Sequence, residues 1–195
     1  MLVLPDGCRD LIVRVAPQAA PRCLVSALAD CTEPVTVAAG EHLVGVRLQA
    51  GAQFDEQALL AQLAGHAHFD DSDLLAAVGA VVRLDSQVSQ ALQCLAEAPD
   101  LALARKRLGL SERSLQRLLM AGTGRNPVYW KNLARARRSA RALFSGLPLA
   151  DLAQDHGYAD QAHMARDMRR WFGASPAAMR RNASQFAALH SSGHG

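Results

Sequence analysis

Apolar residues recur at three- and four-residue steps in two segments of the second half of the chain, 101–119 and 157–173. This spacing is typical of amphipathic helices. Arginine, glutamine and histidine occupy many of the other positions in both segments. The pattern therefore predicts two helices that each bury one face and expose a basic, amide-rich face. The predicted buried positions are Leu115, Leu118 and Leu119 in the first helix and Met164, Met168, Trp171 and Phe172 in the second.

Each predicted helix follows a turn signal and a shorter helical segment. Gly109 and Gly157 suit the left-handed backbone that ends a helix. Ser111 and Asp160 then offer a side-chain oxygen to the free N–H groups of the next helix. Upstream of Gly157, the small residue Ala153 lies where two crossing helices must approach closely. Both segments therefore predict a helix, a turn and a second helix.

The two units continue into the same kind of sequence. Residues 124–127 are Gly-Arg-Asn-Pro, and residues 173–176 are Gly-Ala-Ser-Pro. Asn or Ser before proline is a signal for the start of a helix. Because the turn glycines are also 48 residues apart, the units form an internal repeat. Between the units, helical spacing over 127–145 predicts a long central helix that Gly146 ends.

The first half of the chain has strand-like patterns followed by helical ones. Alternating or β-branched apolar runs around a Pro-Asp-Gly turn predict strands, and Gly51 ends this part. About 50 strand-like residues make a closed eight-stranded barrel hard to build, so we expect an open sheet covered by helices. The predicted strands cover 2–4, 11–15, 35–37 and 42–48, and the predicted helices cover 55–64 and 72–97.

The chain of 195 residues is expected to hold two small domains with an α+β fold. Residues 1–98 are predicted to form an N-terminal domain, a small open β-sheet with helices, for regulation or dimerisation. An all-α domain, 99–182, is predicted to begin where Pro99 disfavours helix in Ala98. Residues 183–195 lack a repeating apolar face and are predicted to be a disordered tail.

Charge is distributed unevenly between the two parts. Residues 100–182 hold 16 Lys and Arg and 6 Asp and Glu, a net charge of +10, whereas the rest of the chain has a net charge of −7. A basic domain supplies the attraction to phosphates on which nucleic-acid affinity depends. An α-helix also fits the major groove of B-DNA, where Arg can bind guanine and Gln can bind adenine through paired hydrogen bonds. The second half is therefore predicted to bind double-stranded DNA.

Residues 100–182 contain five stretches that together carry a family resemblance. They are SERSLQRLL at 111–119, the Gly-x-Asn-Pro step, RARRSARALFSG at 135–146, LPLADLAQDHGY at 147–158 and DQAHMARDMRRWFGASP at 160–176. This region resembles the tandem helix-turn-helix domain of the AraC/XylS family of bacterial transcription regulators. PDGCRDLIV at 5–13 and GVRLQAGA at 45–52 resemble the partly cupin-like N-terminal domain of one group of these regulators.

The resemblance implies a sequence-specific transcription regulator whose two recognition helices enter successive major-groove segments, held apart by the central helix. It also implies which side chains meet the DNA, and His163 could instead pack or contact a phosphate. The expected base contacts are Arg113, Gln116, Arg117, Gln161, Ala162, His163 and Arg166, with Ala162 against a thymine methyl. The expected phosphate contacts are Arg125, Lys131, Arg135, Arg138, Arg169 and Arg170.

One position departs from the family pattern. Four residues before the turn glycine, the second unit has the small residue Ala153, whereas the first unit has Arg105 with Ala104 beside it. Either the first scaffold helix is rotated slightly, or Arg105 extends outward along its aliphatic stem.

Several function classes find no support in the sequence. No apolar run is long enough to span a bilayer and no leader pattern is present, so a cytoplasmic protein is expected. No catalytic or cofactor fingerprint occurs, so neither an enzyme nor a cofactor is expected. Cys8, Cys23, Cys31 and Cys94 have no standard zinc spacing and are expected to be free thiols.

An alternative function stays open at the level of sequence. The chain could be a partner- or ligand-binding module with vestigial DNA binding, for example a thiol or metal sensor that uses Cys8, Cys23, Cys31 and His42. The resemblance implies RNA polymerase as a partner, and a homodimer through the N-terminal domain is a hypothesis. The operator, the effector and the direction of regulation do not follow from the residues.

Overall fold

The computed structural model describes residues 2–66, 69–191 and 193–195, and its α+β architecture confirms the predicted fold class. None of the helices in these ranges is long and apolar enough to span a membrane. The N-terminal elements are β1 (Leu2–Val3), β2 (Arg9–Val15), β3 (Arg22–Val25), β4 (Glu33–Pro34), β5 (His42–Leu48), β6 (Ala52–Gln53), α1 (Glu56–Ala61), α2 (Asp71–Val81) and β7 (Arg83–Leu84). The later elements are α3 (Ser86–Glu97), α4 (Leu101–Leu108), α5 (Glu112–Thr123), α6 (Pro127–Ala142), α7 (Leu149–Asp155), α8 (Gln161–Phe172) and α9 (Pro176–Arg181), with 3-10 segments at Leu143–Ser145 and Ala183–His190.

Strand β2 lies at the centre of an open antiparallel sheet with the order β3-β2-β5. Because side chains alternate across a strand, Leu11 and Val13 lie on the same face, and both are fully buried there. Leu59 of α1 and Leu74 of α2 pack into the same small core. The helices therefore cover one face of the sheet.

The strands differ in two places from the sequence prediction. Residues 35–37 were expected to form a strand, but the pairing is confined to Glu33–Pro34 of β4, which lies beside β1. Proline has no N–H group, so Pro34 cannot extend the ladder in the usual way. Conversely, Arg22–Val25 pairs with β2 although its own pattern does not predict a strand.

The single helix predicted over 72–97 is interrupted. The backbone of Val82 is extended, and Arg83–Leu84 pairs with Ala52–Gln53 as a short ribbon. Asp85 then caps α3 by accepting hydrogen bonds from the N–H groups of the next turn. Pairing with a distant segment overrides the local helical pattern here.

Helix α6 lies at the centre of the helical part and contacts α3, α4, α5, α7 and α8. Its residues Trp130, Leu133 and Ala136 are buried there. Val88 and Leu95 of α3 belong to the same core. Helix α3, which precedes the predicted domain boundary at Ala98, therefore packs with the helices that follow that boundary.

The segment after 182 was expected to be disordered, and the structure corrects this expectation. Its 3-10 segment buries Phe186 and Leu189 in the helical core. His194 is buried as well, and its Nε2 lies 3.0 Å from the backbone oxygen of Trp130. Ser192, which also falls in the predicted tail, lies outside the described residues. Residues three positions apart lie on the same face of a 3-10 helix, so two apolar residues are enough to form an apolar face. The local sequence pattern does not show the surface of α6 against which this face packs.

Candidate nucleic-acid interface

Two helix-turn-helix units have the same local geometry at their turns. Gly109 and Gly157 adopt φ values of +65° and +70° after α4 and near the end of α7, and the space beside each Cα is open. The left-handed backbone, rather than crowding, is therefore why glycine suits both places. Ser111 caps α5 by accepting the N–H of Ser114 at 3.1 Å, and Asp160 caps α8 at 2.6 Å. The turn and cap predictions are confirmed in both units.

The sequence repeat after each unit is also a structural repeat. Helices α5 and α8 both end at a left-handed glycine. Asn126 accepts the N–H of Tyr129 at 2.8 Å, and Ser175 accepts the N–H of Ala178 at 3.3 Å. In both cases the proline occupies the first helical position, where the missing N–H costs nothing.

The exposed faces of α5 and α8 carry most of the residues that the sequence assigned to base contact. The predicted buried positions of the second helix are all buried, whereas Leu118 in the first is only half-buried. The side chains of the three arginines in this set form no ion pair or hydrogen bond with any residue that the structure describes. The exposed candidates are Arg113, Gln116 and Arg117 on α5 and Gln161, Ala162 and Arg166 on α8.

His163 is the one base-contact candidate that is half-buried. Its Nδ1 accepts a hydrogen bond from the N–H of Ala159 in the turn, at 3.4 Å. Its ring also meets the ring of Tyr158 edge to face, with 5.2 Å between centroids. When Nδ1 accepts, the proton of the neutral imidazole is on Nε2. His163 therefore packs against the turn, and its own Nε2–H group is left as a hydrogen-bond donor.

The phosphate-contact candidates fall into two groups. Arg169 and Arg170 are exposed on the last turns of α8. Arg125, next to the end of α5, is partly exposed but pairs with Asp30 of the N-terminal part at 2.6 Å. These three side chains are accessible to a phosphate. At Arg125, a phosphate would have to compete with Asp30.

Lys131 was expected to contact a phosphate, and the structure contradicts this. The residue is buried, and its Nζ donates to the backbone oxygens of Leu95, at 3.3 Å, and Ala98. These are carbonyls at the end of α3 that lack helical partners. Burial lowers the pKa of Lys131 to about 8, with a further contribution from Arg138 nearby. The ammonium group thus holds α3 on α6 and does not face solvent.

Arg138 and Arg135 are also engaged within the protein. The Arg138 guanidinium donates to the backbone oxygen of Ala96, and burial lowers its pKa. Arg135 lies 3.2 Å from Asp167 and above the ring of Tyr158. Both side chains are half-buried, and a phosphate would have to compete with these internal acceptors for their guanidinium groups.

Arg137 is fully buried, and the sequence analysis gave it no role of its own. Its guanidinium donates to the backbone oxygens of Pro5, at 3.2 Å, and Ser191, at 3.1 Å. Burial lowers the pKa of Arg137 to about 10. The side chain therefore joins the N-terminal turn and the last segment to α6. No local signal separates it from the neighbouring arginines, since only distant residues define its surroundings.

Arg105, the departure from the family pattern, lies beside the fully buried Ala104. Its stem is partly buried, and its Nη1 reaches Glu112 at 3.0 Å on the first turn of α5. Of the two alternatives, the structure supports an Arg105 that extends outward along its stem. Its ion pair bridges helices α4 and α5.

The N-terminal part touches both helix-turn-helix units through residues 29–32. Besides the Asp30 and Arg125 pair, the Tyr129 hydroxyl donates to the backbone oxygen of Ala29 at 3.2 Å. The backbone N–H and the hydroxyl of Thr32 donate to the backbone oxygen of Trp171, at 3.0 and 3.1 Å. That carbonyl lies in the last turn of α8, where helical partners end. We call residues 29–32 the bridging loop.

The four cysteines are free, and burial raises the pKa of Cys8 to about 11. Cys23 is half-buried and Cys31 is exposed. Within 2–66, 69–191 and 193–195, no three His, Cys, Asp or Glu side chains form a group that could hold a metal ion. The structure therefore offers no support for the metal sensor suggested from Cys8, Cys23, Cys31 and His42.

Part of the chain is similar to known proteins. Among solved structures, the C-terminal domain of AraT, a response regulator from Geobacillus stearothermophilus, has 25% sequence identity and a TM-score of 0.46, over 51% of this chain and 88% of that chain. No curated protein matches the chain. Residues 104–182 match the family model of the helix-turn-helix domain, a range that contains the second unit and all of the first except the first three residues of α4. Residues 104–182 therefore form a helix-turn-helix domain of the AraC type, which supports a role in DNA binding.

Proposed function

We propose that the protein binds a specific DNA sequence through both units, with α5 and α8 in successive segments of the major groove. The observation that carries this proposal is that both helices present exposed arginine and amide side chains opposite a buried apolar stripe, and these side chains have no partner among the described residues. Such side chains can form paired hydrogen bonds with guanine and adenine edges.

The role proposed for each side chain follows from its exposure to solvent. Arg117 and Arg166 bind bases, together with the neighbouring glutamines and Arg113. His163 donates its Nε2 proton to a base or a phosphate. Arg169, Arg170 and Arg125 bind phosphates, because they are accessible cations at the ends of the recognition helices. Phosphate contacts set the register on the duplex, and base contacts supply the sequence preference.

The central helix supports a fixed separation of the two recognition helices. Helix α6 has 16 residues, which corresponds to about 24 Å at 1.5 Å per residue. This length is of the same order as the ~34 Å of one DNA turn. Since α6 contacts elements of both units, its length and its orientation set the spacing of the two DNA segments.

The proposal is tested by selecting bound sequences from a random pool of DNA duplexes with the full chain at about 150 mM salt, where non-specific attraction is partly screened. We expect an enriched motif with two elements about one helical turn apart. A motif with one element would restrict recognition to one unit. No enrichment above the pool would contradict sequence-specific binding.

A further inference from the structure

A buried carboxylate lies on the recognition helix of the second unit. Asp167 of α8 is 9% exposed, and its Oδ2 accepts hydrogen bonds from Arg135 Nη2 at 3.2 Å and from the Tyr158 hydroxyl at 3.1 Å. We call Arg135, Tyr158 and Asp167 the polar cluster. A buried carboxylate is costly unless it is paired. The Asp167 carboxylate is therefore paired in one arrangement, in which α6, the turn and α8 each contribute a group.

Tyr158 connects the parts of the polar cluster. Its ring lies under the guanidinium of Arg135, 4.4 Å from the ring centroid, and its hydroxyl oxygen lies 3.2 Å from Ser139 Oγ. Burial raises the pKa of Tyr158, so its hydroxyl stays protonated and donates at neutral pH. Both Arg135 and Ser139 belong to α6, so Tyr158 and Asp167 are fixed to the central helix.

The same tyrosine ring supports the half-buried His163. The rings meet edge to face, and the N–H next to Tyr158, that of Ala159, binds His163 Nδ1. The direction of the imidazole is therefore set by the turn that the polar cluster holds. A shift of Tyr158 would change where the His163 Nε2 proton points.

The first unit has no equivalent of the polar cluster. The corresponding positions, counted from the turn glycine and from the N-cap, are Leu110 and Leu118, which pack against the hydrophobic core. Apolar contacts tolerate small rotations, whereas hydrogen bonds depend on angle and distance. The orientation of α8 is thus constrained by directional bonds at a buried carboxylate. In the first unit the directional contacts lie at the two ends of α5, as the Arg105 and Glu112 ion pair and the hydrogen bond from Trp130 Nε1 to Thr123 Oγ1, and Leu118 between them packs against the core.

We propose that the polar cluster of Arg135, Tyr158 and Asp167 is a positioning device that fixes recognition helix α8 and the His163 ring relative to α6, and thereby sets the base discrimination of the second unit. This proposal rests on the proposed function, because discrimination requires α8 in the groove. These three residues are positioning residues and do not themselves contact DNA.

The test compares Tyr158→Phe and Asp167→Asn with a matched control, Tyr129→Phe. The control removes the hydroxyl of another tyrosine of the helical part, the half-buried Tyr129, which donates to Ala29 and not to the polar cluster. Affinities of the full chain are measured for the selected duplex and for duplexes with either element scrambled, and thermal unfolding is followed in parallel.

We expect both cluster variants to lose at least about fivefold in discrimination at the second element, on the scale of one weakened base contact, with the first element unchanged. Tyr129→Phe should leave both ratios unchanged. In ¹⁵N spectra of the side chain, the Nε2–H tautomer of His163 should dominate in the wild-type chain and lose population in both cluster variants.

The outcomes separate the two proposals. If the wild-type chain discriminates at the second element and the cluster variants retain the same ratio and the same tautomer, the positioning proposal is overturned, whatever their melting temperatures. If the wild-type chain discriminates at neither element, the proposed function is overturned and the positioning proposal fails with it. Equal losses at both elements would show a general loss of folding and also overturn positioning.

Discussion

The basic residues of α6 look alike in sequence but differ in what they bind. Lys131, Arg137 and Arg138 donate to backbone oxygens inside the protein, whereas Arg169 on α8 is exposed. An exposed cation can exchange its water and counterions for a DNA phosphate, but a buried one would first have to leave its acceptors. Net charge over 100–182 therefore overstates the positive charge available to DNA.

Base and phosphate contacts should be separable by alanine substitution. Arg117→Ala or Arg166→Ala should cost about 1–3 kcal/mol on the selected duplex and little on random DNA, because each removes a proposed base contact. Arg169→Ala should weaken both duplexes alike. Equilibrium titrations on the two DNAs measure this. Equal losses for all three variants on both DNAs would contradict the assigned roles.

Lys131 should not contribute to the salt dependence of DNA binding. Lys131→Met should leave the slope of log K against log salt unchanged and lower the stability, because carbonyls of Leu95 and Ala98 lose their donor. Arg169→Ala is the comparison, and it should reduce the slope by about 0.9. A slope that falls as much in Lys131→Met would return Lys131 to the phosphate contacts.

The structural role of a residue can be predicted from the sequence when that role depends only on its neighbours in the chain. The turn glycine Gly157 and the cap Asp160 act on neighbouring peptide groups, so the sequence alone predicts them correctly. The burial of Arg137 is set by Pro5 and Ser191, 132 and 54 positions away. No pattern around Arg137 contains that information, and the same holds for Lys131.

At the scale of elements, the turn of the second unit should depend on its glycine. Gly157→Ala should destabilise the protein by about 1 kcal/mol, because the new Cβ meets open space but the backbone is left-handed. Gly79→Ala is the matched control, since Gly79 also meets open space but lies inside α2. There alanine should stabilise by about 0.5–1 kcal/mol. Denaturant unfolding of both variants measures the difference, and equal signs would contradict it.

Helices were easier to predict here than strands. The apolar stripes of α5 and α8 are properties of the helices themselves. Strand β3 and the ribbon of β6 and β7 are defined by their partners, because neither has an alternating pattern long enough to stand alone. For the same reason, the break at Val82 inside a helical pattern could not be found without the pairing of Arg83–Leu84.

At the scale of the whole molecule, the bridging loop connects the N-terminal part to the DNA-binding part. Asp30 holds Arg125, which is a proposed phosphate contact. Asp30→Asn should therefore raise the affinity for random DNA and steepen its salt slope by up to about 0.9, because Arg125 becomes free for a phosphate. Asp71→Asn, which changes an exposed carboxylate on α2, gives the same change in net charge. If both variants gain equally, net charge rather than the loop is responsible.

The last segment should make folding sensitive to acid. Burial lowers the pKa of His194 to about 4 from its ordinary value of 6.5. Between these values the unfolded chain binds the proton and the folded chain does not, so stability falls as the pH drops from 6.5 to 4. The loss attributable to this residue is at most about 3 kcal/mol.

The acid effect is measured as the free energy of unfolding against pH. His194→Gln should flatten the profile between pH 6.5 and 4, whereas His190→Gln, at an exposed position of the same segment, should not. An unchanged profile in His194→Gln would show that other groups cause the acid sensitivity.

The central position of α6 limits how the length of this chain can change over time. Adding one residue to a helix turns everything beyond it by about 100° and shifts it by about 1.5 Å. Because α6 is buried along most of its length, such an insertion would misalign its contacts with α3 on one side or with α8 on the other. Insertions and deletions within 127–142 should therefore be lost from a mutant library that is screened for folding. Under the proposed function, the distance between the two DNA elements can then change through the DNA sequence but not through the length of this helix.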